Sequence, residues 1–257
     1  MNRIIRLLFL LYLALFSLNL SAQDSVINKN HFISLNAQFI QMKDEFNYGL
    51  VFNGLNLGVR YSFMKTSDRN TLLYAPDLAF GANFKKGIGI PLFFRPINLF
   101  FGFNINKSNI KPLSIGPYIA TNYHWQIYPE LQSGRMFWFT SLETGPEVMF
   151  TIPSKSKLFK IKVSNSLAGW TSRPEPSTET TFYSLKFTDF FRNAHSNMKF
   201  GSFELFNHTN FEIEMVNPEK KLSLAYEFEY FGYYQAPKYF FMLHSINLKW
   251  KIGKNKI

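Results

Sequence analysis

The stretch "LNLGVRYSF", residues 55–63, alternates between apolar and polar side chains along its whole length. Its apolar members are Leu55, Leu57, Val59, Tyr61 and Phe63. A period of two is that of a β-strand, because successive side chains point to opposite faces of a sheet. In a soluble sandwich or barrel, the apolar face would cover a core and Arg60 would face water. In a transmembrane barrel, the apolar face would contact lipid and Arg60 would face the lumen.

The same alternation recurs along most of the chain, and clusters of turn-forming residues such as "TSDRN" (66–70), "PSKSK" (153–157) and "NPEKK" (217–221) separate the alternating segments. With the opening stretch there are ten such segments, at 32–41, 55–63, 72–84, 97–105, 113–127, 138–152, 158–170, 199–216, 222–234 and 240–253. Antiparallel strands of about ten residues with one apolar face are typical of outer-membrane barrels. The pattern predicts an all-β, antiparallel transmembrane β-barrel of ten strands. A soluble sandwich or barrel is the alternative.

The N-terminus has the layout of a cleaved signal peptide over residues 1–22. Arg3 and Arg6 precede the apolar run Leu7–Phe16, and the small residues Ser21 and Ala22 follow it. This run is shorter than the roughly 20 apolar residues that span a bilayer as a helix. We therefore expect export, with residues 23–257 forming the barrel.

Composition favours a membrane environment over a soluble core. Aromatic residues make up 18% of the chain, while the mean hydropathy is only -0.10, so large apolar and polar side chains are finely mixed. The chain has no cysteine, which leaves burial and backbone pairing to hold the fold. A net charge of +11 suits anionic lipid as a neighbour. Nucleic acid is the weaker interpretation, because no basic helix or binding motif accompanies the charge.

In its alternating pattern, the chain resembles the small outer-membrane β-barrel proteins of Gram-negative bacteria. Its signal peptide and its closing segment "HSINLKWKI" (244–252) add to this resemblance. The resemblance covers residues 31–253. It implies location in the outer membrane, contact with lipid and lipopolysaccharide, and assembly by the barrel-insertion machinery. We expect a monomer. Because one fold can serve many functions, the resemblance implies no particular activity.

Three inward residues are candidates for catalysis. His124 lies on one predicted strand, and Ser141 and Glu143 lie on the next, which are the residue types that acyl transfer needs. The alternative is that they merely solvate the lumen. His195 and His208 are weaker candidates, because each has its hydroxyl neighbour directly adjacent in sequence, and adjacent residues of a strand face opposite ways. Phosphate-loop, HExxH and calcium-loop motifs are absent from the sequence, so no cofactor or metal is expected.

Charged residues on the polar faces predict ion pairs in the lumen. A tight return at "TSDRN" places Arg60 opposite Asp77 or one place from it, and a return at "PSKSK" places Glu147 opposite Lys162. A return at "NPEKK" places Glu212 near Glu227, with Lys249 or Lys251 arriving from the last strand. Such pairing is expected because isolated charges are costly away from bulk water.

The long connection 171–197 is too aromatic for a disordered linker. It could be a lid folded into the barrel mouth, an external binding surface, or two further strands of a twelve-stranded barrel. The favoured function is a non-enzymatic outer-membrane component: a scaffold, a partner-binding module or a narrow pore. The alternatives are a barrel hydrolase acting on lipid A or peptides, and a secreted soluble β-protein.

Overall fold

The computed structural model describes residues 28–85, 87–105, 113–130, 135–154, 156–175, 186–217 and 220–252. The expected signal peptide at 1–22 lies outside these ranges. The helix and strands, in chain order, are β1 (Asn28–Asp44), β2 (Val51–Thr66), β3 (Asn70–Tyr74), β4 (Asp77–Phe84), β5 (Ile88–Ile105), β6 (Leu113–Tyr128), β7 (Arg135–Ser154), β8 (Lys157–Asn165), β9 (Ala168–Ser172), α1 (Phe187–Ala194), β10 (Lys199–Ser202), β11 (Phe206–Val216), β12 (Leu222–Tyr233) and β13 (Tyr239–Ile252). A short 3-10 helix, Glu45–Asn47, follows β1.

These segments form one antiparallel sheet that closes on itself. Its last strand, β13, pairs with β1 from His31↔Ile252 to Asp44↔Tyr239. The thirteen segments make ten barrel strands, because β3 with β4, β8 with β9, and β10 with β11 are each one interrupted strand. The prediction of a ten-stranded antiparallel barrel is confirmed. The twelve-stranded alternative is wrong.

Backbone hydrogen bonds carry the wall across two of the interruptions. Between β3 and β4, the Tyr61 N–H donates to the carbonyl of Pro76 (3.1 Å), and the Ala75 N–H donates to the carbonyl of Asn98 (2.8 Å). Between β8 and β9, the Ser166 N–H donates to the carbonyl of His208 (2.8 Å). Proline lacks the ladder donor, which explains the interruption at Pro76.

The barrel has two unlike ends. The end that holds Asn28 and Ile252 is also the end where β2, β5, β7 and β11 finish and β3, β6, β8 and β12 begin; we call it the terminal end. At the other end, the loop end, β1, β4, β6, β9 and β12 finish and β2, β5, β7, β10 and β13 begin. The longest interval between two strands, from Ser172 to Lys199, lies at the loop end. Outer-membrane barrels commonly have their long loops outside the cell and short turns in the periplasm.

The outer face of the barrel is apolar and the inner face is largely polar. Leu55, Leu57, Phe80 and Ile246 point outward and are 60–68% exposed, whereas Arg60 points inward and is 7% exposed. Every backbone group in a closed barrel has a partner, so such a wall can stand in hydrocarbon. The opening strand therefore directs its leucines to lipid, and the chain is an outer-membrane β-barrel. The soluble alternative is wrong. In the described part of the chain, no helix is long and apolar enough to cross a membrane.

Candidate functional site

Aromatic and aliphatic side chains fill the loop half of the lumen. We call this group the aromatic plug; its ten members are Ile40, Met42, Phe93, Phe139, Phe206, Phe231, Tyr233, Tyr239, Phe241 and Leu243. They come from β1, β5, β7, β11, β12 and β13, and all are buried, with exposures of 0–6%. Phe139 is central, because its ring centroid lies 4.3 Å from that of Phe231 and 5.6 Å from that of Tyr239. The plug therefore reaches across the barrel.

An ion pair covers the plug at the loop end. Arg173, the first residue after β9, places Nη2 2.7 Å from Oδ1 of Asp44 at the end of β1. Its guanidinium also lies 5.1 Å from the ring centroid of Tyr239, within the range of a cation–π contact. Both Arg173 and Asp44 are buried. The long connection thus begins by inserting one side chain into the barrel mouth.

A network of buried charges occupies the middle of the lumen. Arg60 is its centre: Nη2 lies 2.9 Å from Glu227 and 3.3 Å from Asp77, and Nη1 lies 3.5 Å from Glu212. Arg95 donates to Oε1 of Glu229 at 2.7 Å. Arg60 therefore joins carboxylates from β4, β11 and β12. A charged group that is removed from water needs such oppositely charged partners.

Lysines extend this network toward the terminal end. Nζ of Lys162 lies 3.3 Å from Oε2 of Glu212, and Nζ of Lys249 lies 2.9 Å from Oε2 of Glu214 and 3.6 Å from Oε1 of Glu212. The terminal half of the lumen is thus held by ion pairs.

Two of the three expected cross-strand relations have the expected register, and one does not. Arg60 is the register partner of Asp77, and Glu212 is that of Glu227. Glu147, however, lies opposite Ser164, while Lys162 lies opposite Met149. The return is displaced because Ser154 pairs with Lys157, so the turn is centred one residue later in the chain than the expected register requires. Lys162 instead reaches Glu212, on β11.

The three candidate catalytic residues are not assembled into a triad. His124 lies within the aromatic plug, where Nδ1 is 3.2 Å from the Tyr239 hydroxyl oxygen. The Ser141 hydroxyl donates to Oε2 of Glu143 at 3.2 Å, so the serine contacts the carboxylate and not the imidazole. In a hydrolytic triad the imidazole must lie between the other two groups.

His208 is the histidine that joins the polar network. Its Nδ1 is hydrogen-bonded to Oε1 of Glu143, and its Nε2 lies 3.0 Å from Oε1 of Glu229. The sequence contained the signal, because His208 shares strand parity with the inward Glu212. Its relation to the adjacent Thr209 alone does not reveal this. The other weak candidate, His195, lies outside the lumen, where Nε2 is 2.8 Å from the Tyr123 hydroxyl oxygen.

Helix α1 lies against the outer wall of the barrel, so the described part of the long connection is not simply a lid. Phe190 and Ala194 pack on outward side chains of β6 and β7, namely Trp125, Met136 and Trp138. All three are buried, although strand parity directs them to lipid. The connection therefore straddles the rim, with Arg173 inside the mouth and α1 outside. Residues 176–185 lie outside the described ranges.

No protein-family model matches the chain, and no curated protein matches it. Several solved structures are similar. The translocator domain of the autotransporter NalP from Neisseria meningitidis is 7% identical, with 96% of this chain and 95% of that chain covered and a TM-score of 0.39. The outer membrane protease OmpT from Escherichia coli is 7% identical, with 91% and 99% covered and a TM-score of 0.45. An outer membrane channel from Pseudomonas putida F1 is 10% identical, with 90% and 98% covered and a TM-score of 0.39.

Identities and TM-scores this low carry no information on function. The fold assignment rests on the closed sheet and its apolar outer face. Within the residues that the structure covers, no three His, Asp or Glu side chains are grouped so that they could hold a metal ion.

Proposed function

We propose that this protein is a closed, non-enzymatic outer-membrane module that presents its loop end as a binding surface and does not conduct solutes. The aromatic plug carries this proposal. Ten buried side chains from six strands meet across the lumen, and they lie in the wall itself rather than on a hinged loop. A core packed in this way has few voids larger than a water molecule.

Two further observations support the proposal. The Arg173–Asp44 ion pair lies over the plug, so the mouth is closed by a second layer. His124 and Ser141 bond to different partners, so the residues most suited to acyl transfer are engaged elsewhere. Both favour a structural or partner-binding role over a pore or a hydrolase.

Single-channel recording in planar bilayers tests the plug. We expect no conductance steps from the unaltered barrel. We expect steps from a Phe139→Ala, Phe231→Ala double variant, because these two rings are in direct contact at the centre of the plug. Heat-modifiable migration on a denaturing gel verifies that each variant is folded. Discrete steps from the unaltered protein would overturn the proposal in favour of a narrow pore.

Cysteine labelling tests which end faces outward. The chain has no cysteine, so each introduced thiol is unique. Tyr48→Cys lies at the loop end, where Tyr48 is 89% exposed, and Ser156→Cys lies in a turn at the terminal end. We expect a membrane-impermeant maleimide to label the first in intact cells and the second only after lysis. The reverse result would place the loop end in the periplasm and exclude it as an external binding surface.

A further inference from the structure

The terminal half of the lumen contains a cavity of about 40 Å³ that the proposed function does not use. Three lysines line it, Lys160, Lys162 and Lys249, together with apolar side chains that include Met64, Leu73 and Met149. A site for a small acid with an apolar tail requires a cation and an adjacent apolar surface, and this cavity has both. A volume of this size admits a head group and leaves the rest of a ligand toward the opening.

The cavity is reached from one end only. Lys160 lies near the start of β8 and Lys249 near the end of β13, and both positions are close to the terminal end. Lys160 and Leu73 are partly exposed. On the other side lie the ion network and then the aromatic plug, with a second, smaller cavity of about 20 Å³ among their side chains. The cavity is therefore a blind pocket.

Lys160 is the cation in this pocket whose charge is not directly matched. Its register partner on β11 is Glu214, but Glu214 already accepts from Lys249 Nζ at 2.9 Å and from the Ser223 hydroxyl at 2.6 Å. Among the described residues, no carboxylate oxygen lies within 4.0 Å of Lys160 Nζ, whereas Lys162 and Lys249 each have such a partner.

The balance of charge indicates the class of ligand. Three ammonium groups surround the pocket, and two carboxylates, Glu212 and Glu214, also line it. Arg60 lines it too, but Arg60 is also paired with Asp77 and Glu227 behind the pocket. Arg60, Lys162 and Lys249 each have a carboxylate within 4.0 Å, so Lys160 is the one lining cation that lacks such a contact among the described residues, and a monoanion would supply it.

We propose that this pocket binds a small organic carboxylate with a short apolar tail. The carboxylate accepts hydrogen bonds from Lys160 Nζ, and the tail lies against Leu73 and Met149. The ligand enters from the terminal end. This inference goes beyond the proposed function, because binding in a blind pocket requires neither conduction nor a partner at the loop end.

Fluorine NMR of the detergent-solubilised barrel tests the proposal, with 4,4,4-trifluorobutyrate as the probe. We expect saturable broadening of the probe resonance that unlabelled butyrate reverses. Acetate should compete several-fold less well, because it lacks the tail. The neutral 4,4,4-trifluorobutanol should give no saturable change, which separates binding from partition into the micelle.

Two matched variants locate the site. Lys160→Met removes the ammonium and keeps the side-chain length, and it should weaken probe binding at least about tenfold, the loss expected for a charge-assisted hydrogen bond. Lys157→Met makes the same change on the opposite face of β8, outside the pocket, and should leave binding unchanged. Lys160→Arg should retain binding, which shows that the loss in Lys160→Met is one of charge.

Equal losses in Lys160→Met and Lys157→Met, or saturable binding of the neutral alcohol, would overturn the proposal. So would the absence of saturable binding to the unaltered barrel, since gel migration independently verifies that the barrel is folded. The conductance result for the plug is independent of all these outcomes.

Discussion

The two halves of the lumen are built from the same barrel strands and filled by opposite chemistry. In the loop half, ten apolar and aromatic side chains exclude water. Toward the terminal end, Arg60, Lys162 and Lys249 are matched with carboxylates around a cavity of about 40 Å³. Strand β13 carries inward side chains of both kinds: Phe241 belongs to the plug and Lys249 to the ion network.

This contrast separates two roles of an inward side chain. Strand parity determines that a residue faces the lumen, but it does not determine whether the lumen is dry or polar at that height. Packing closes the loop half, whereas paired charges hold the terminal half. Substitutions that remove one kind of filling should therefore have different signatures in the two halves.

The largest effect is expected from Arg60→Ala. This change leaves Asp77, Glu212 and Glu227 without their shared cation, and removal of one partner from a buried ion pair costs about 3–5 kcal/mol. Guanidinium unfolding from lipid vesicles measures the loss. Arg60→Ala combined with Glu227→Gln should recover part of it, because Glu227 makes the shortest contact with Arg60. Full stability in Arg60→Ala alone would contradict a role for this network in holding the barrel.

The next effect tests the plug. Phe139→Ala should destabilise the barrel by about 3–5 kcal/mol through lost burial and a cavity that its neighbours cannot fill. Leu73→Ala is the matched deletion in the terminal half, and it should cost much less because Leu73 already borders a cavity and is partly exposed. The same unfolding measurement compares them. Equal costs would remove the distinction between a packed half and a polar half.

A third substitution tests the outer face, which is apolar along both halves. Leu57→Arg should cost about 2–4 kcal/mol near the middle of the bilayer and impair assembly, because Leu57 is 67% exposed to lipid. Ser156→Arg, in an exposed turn at the terminal end, is the control for a new charge as such. The yield of the heat-modifiable form measures assembly. Normal assembly of Leu57→Arg would mean that the two faces are assigned the wrong way round.

The smallest effect on stability is expected from Lys160→Met. Among the described residues no carboxylate lies within 4.0 Å of Lys160 Nζ, so loss of this cation should change the free energy of unfolding by no more than about 0.5 kcal/mol. Lys249→Met, which leaves Glu214 without its lysine partner, is the comparison and should be clearly destabilising. A large cost in Lys160→Met would show that Lys160 is structural and already paired.

Alternation along the chain was enough to predict the ten strands, the direction of Arg60 and the registers at "TSDRN" and "NPEKK", because parity and short returns are local properties. The register at "PSKSK" differed by two residues, since the sequence does not show which residues of such a cluster form the centre of the turn. The aromatic plug was not predicted. Phe139 and Phe231 follow the same alternation as charged inward residues, and only the closed barrel brings them together.

The position of α1 on the outer wall was not predicted either, because no hydrophobic periodicity in the long connection indicates that this helix covers Trp138. For the candidate site, parity placed His124, Ser141 and Glu143 in the lumen. It could not show how far along the barrel axis each side chain lies. His124 therefore belongs to the plug, and His208 occupies the place beside Glu143.

The contacts of Arg60 also bear on the order in which the barrel can form. Arg60 lies on β2 and its shortest ion-pair partner, Glu227, lies on β12, 167 residues later in the chain. Contacts of such separation are entropically costly to close and are associated with slow folding. A growing sheet that contains only β1 to β7 holds Arg60 and Asp77 but lacks Glu212 and Glu227. Full neutralisation of this arginine thus coincides with the arrival of the last strands, which ties the completion of its charge balance to closure of the wall.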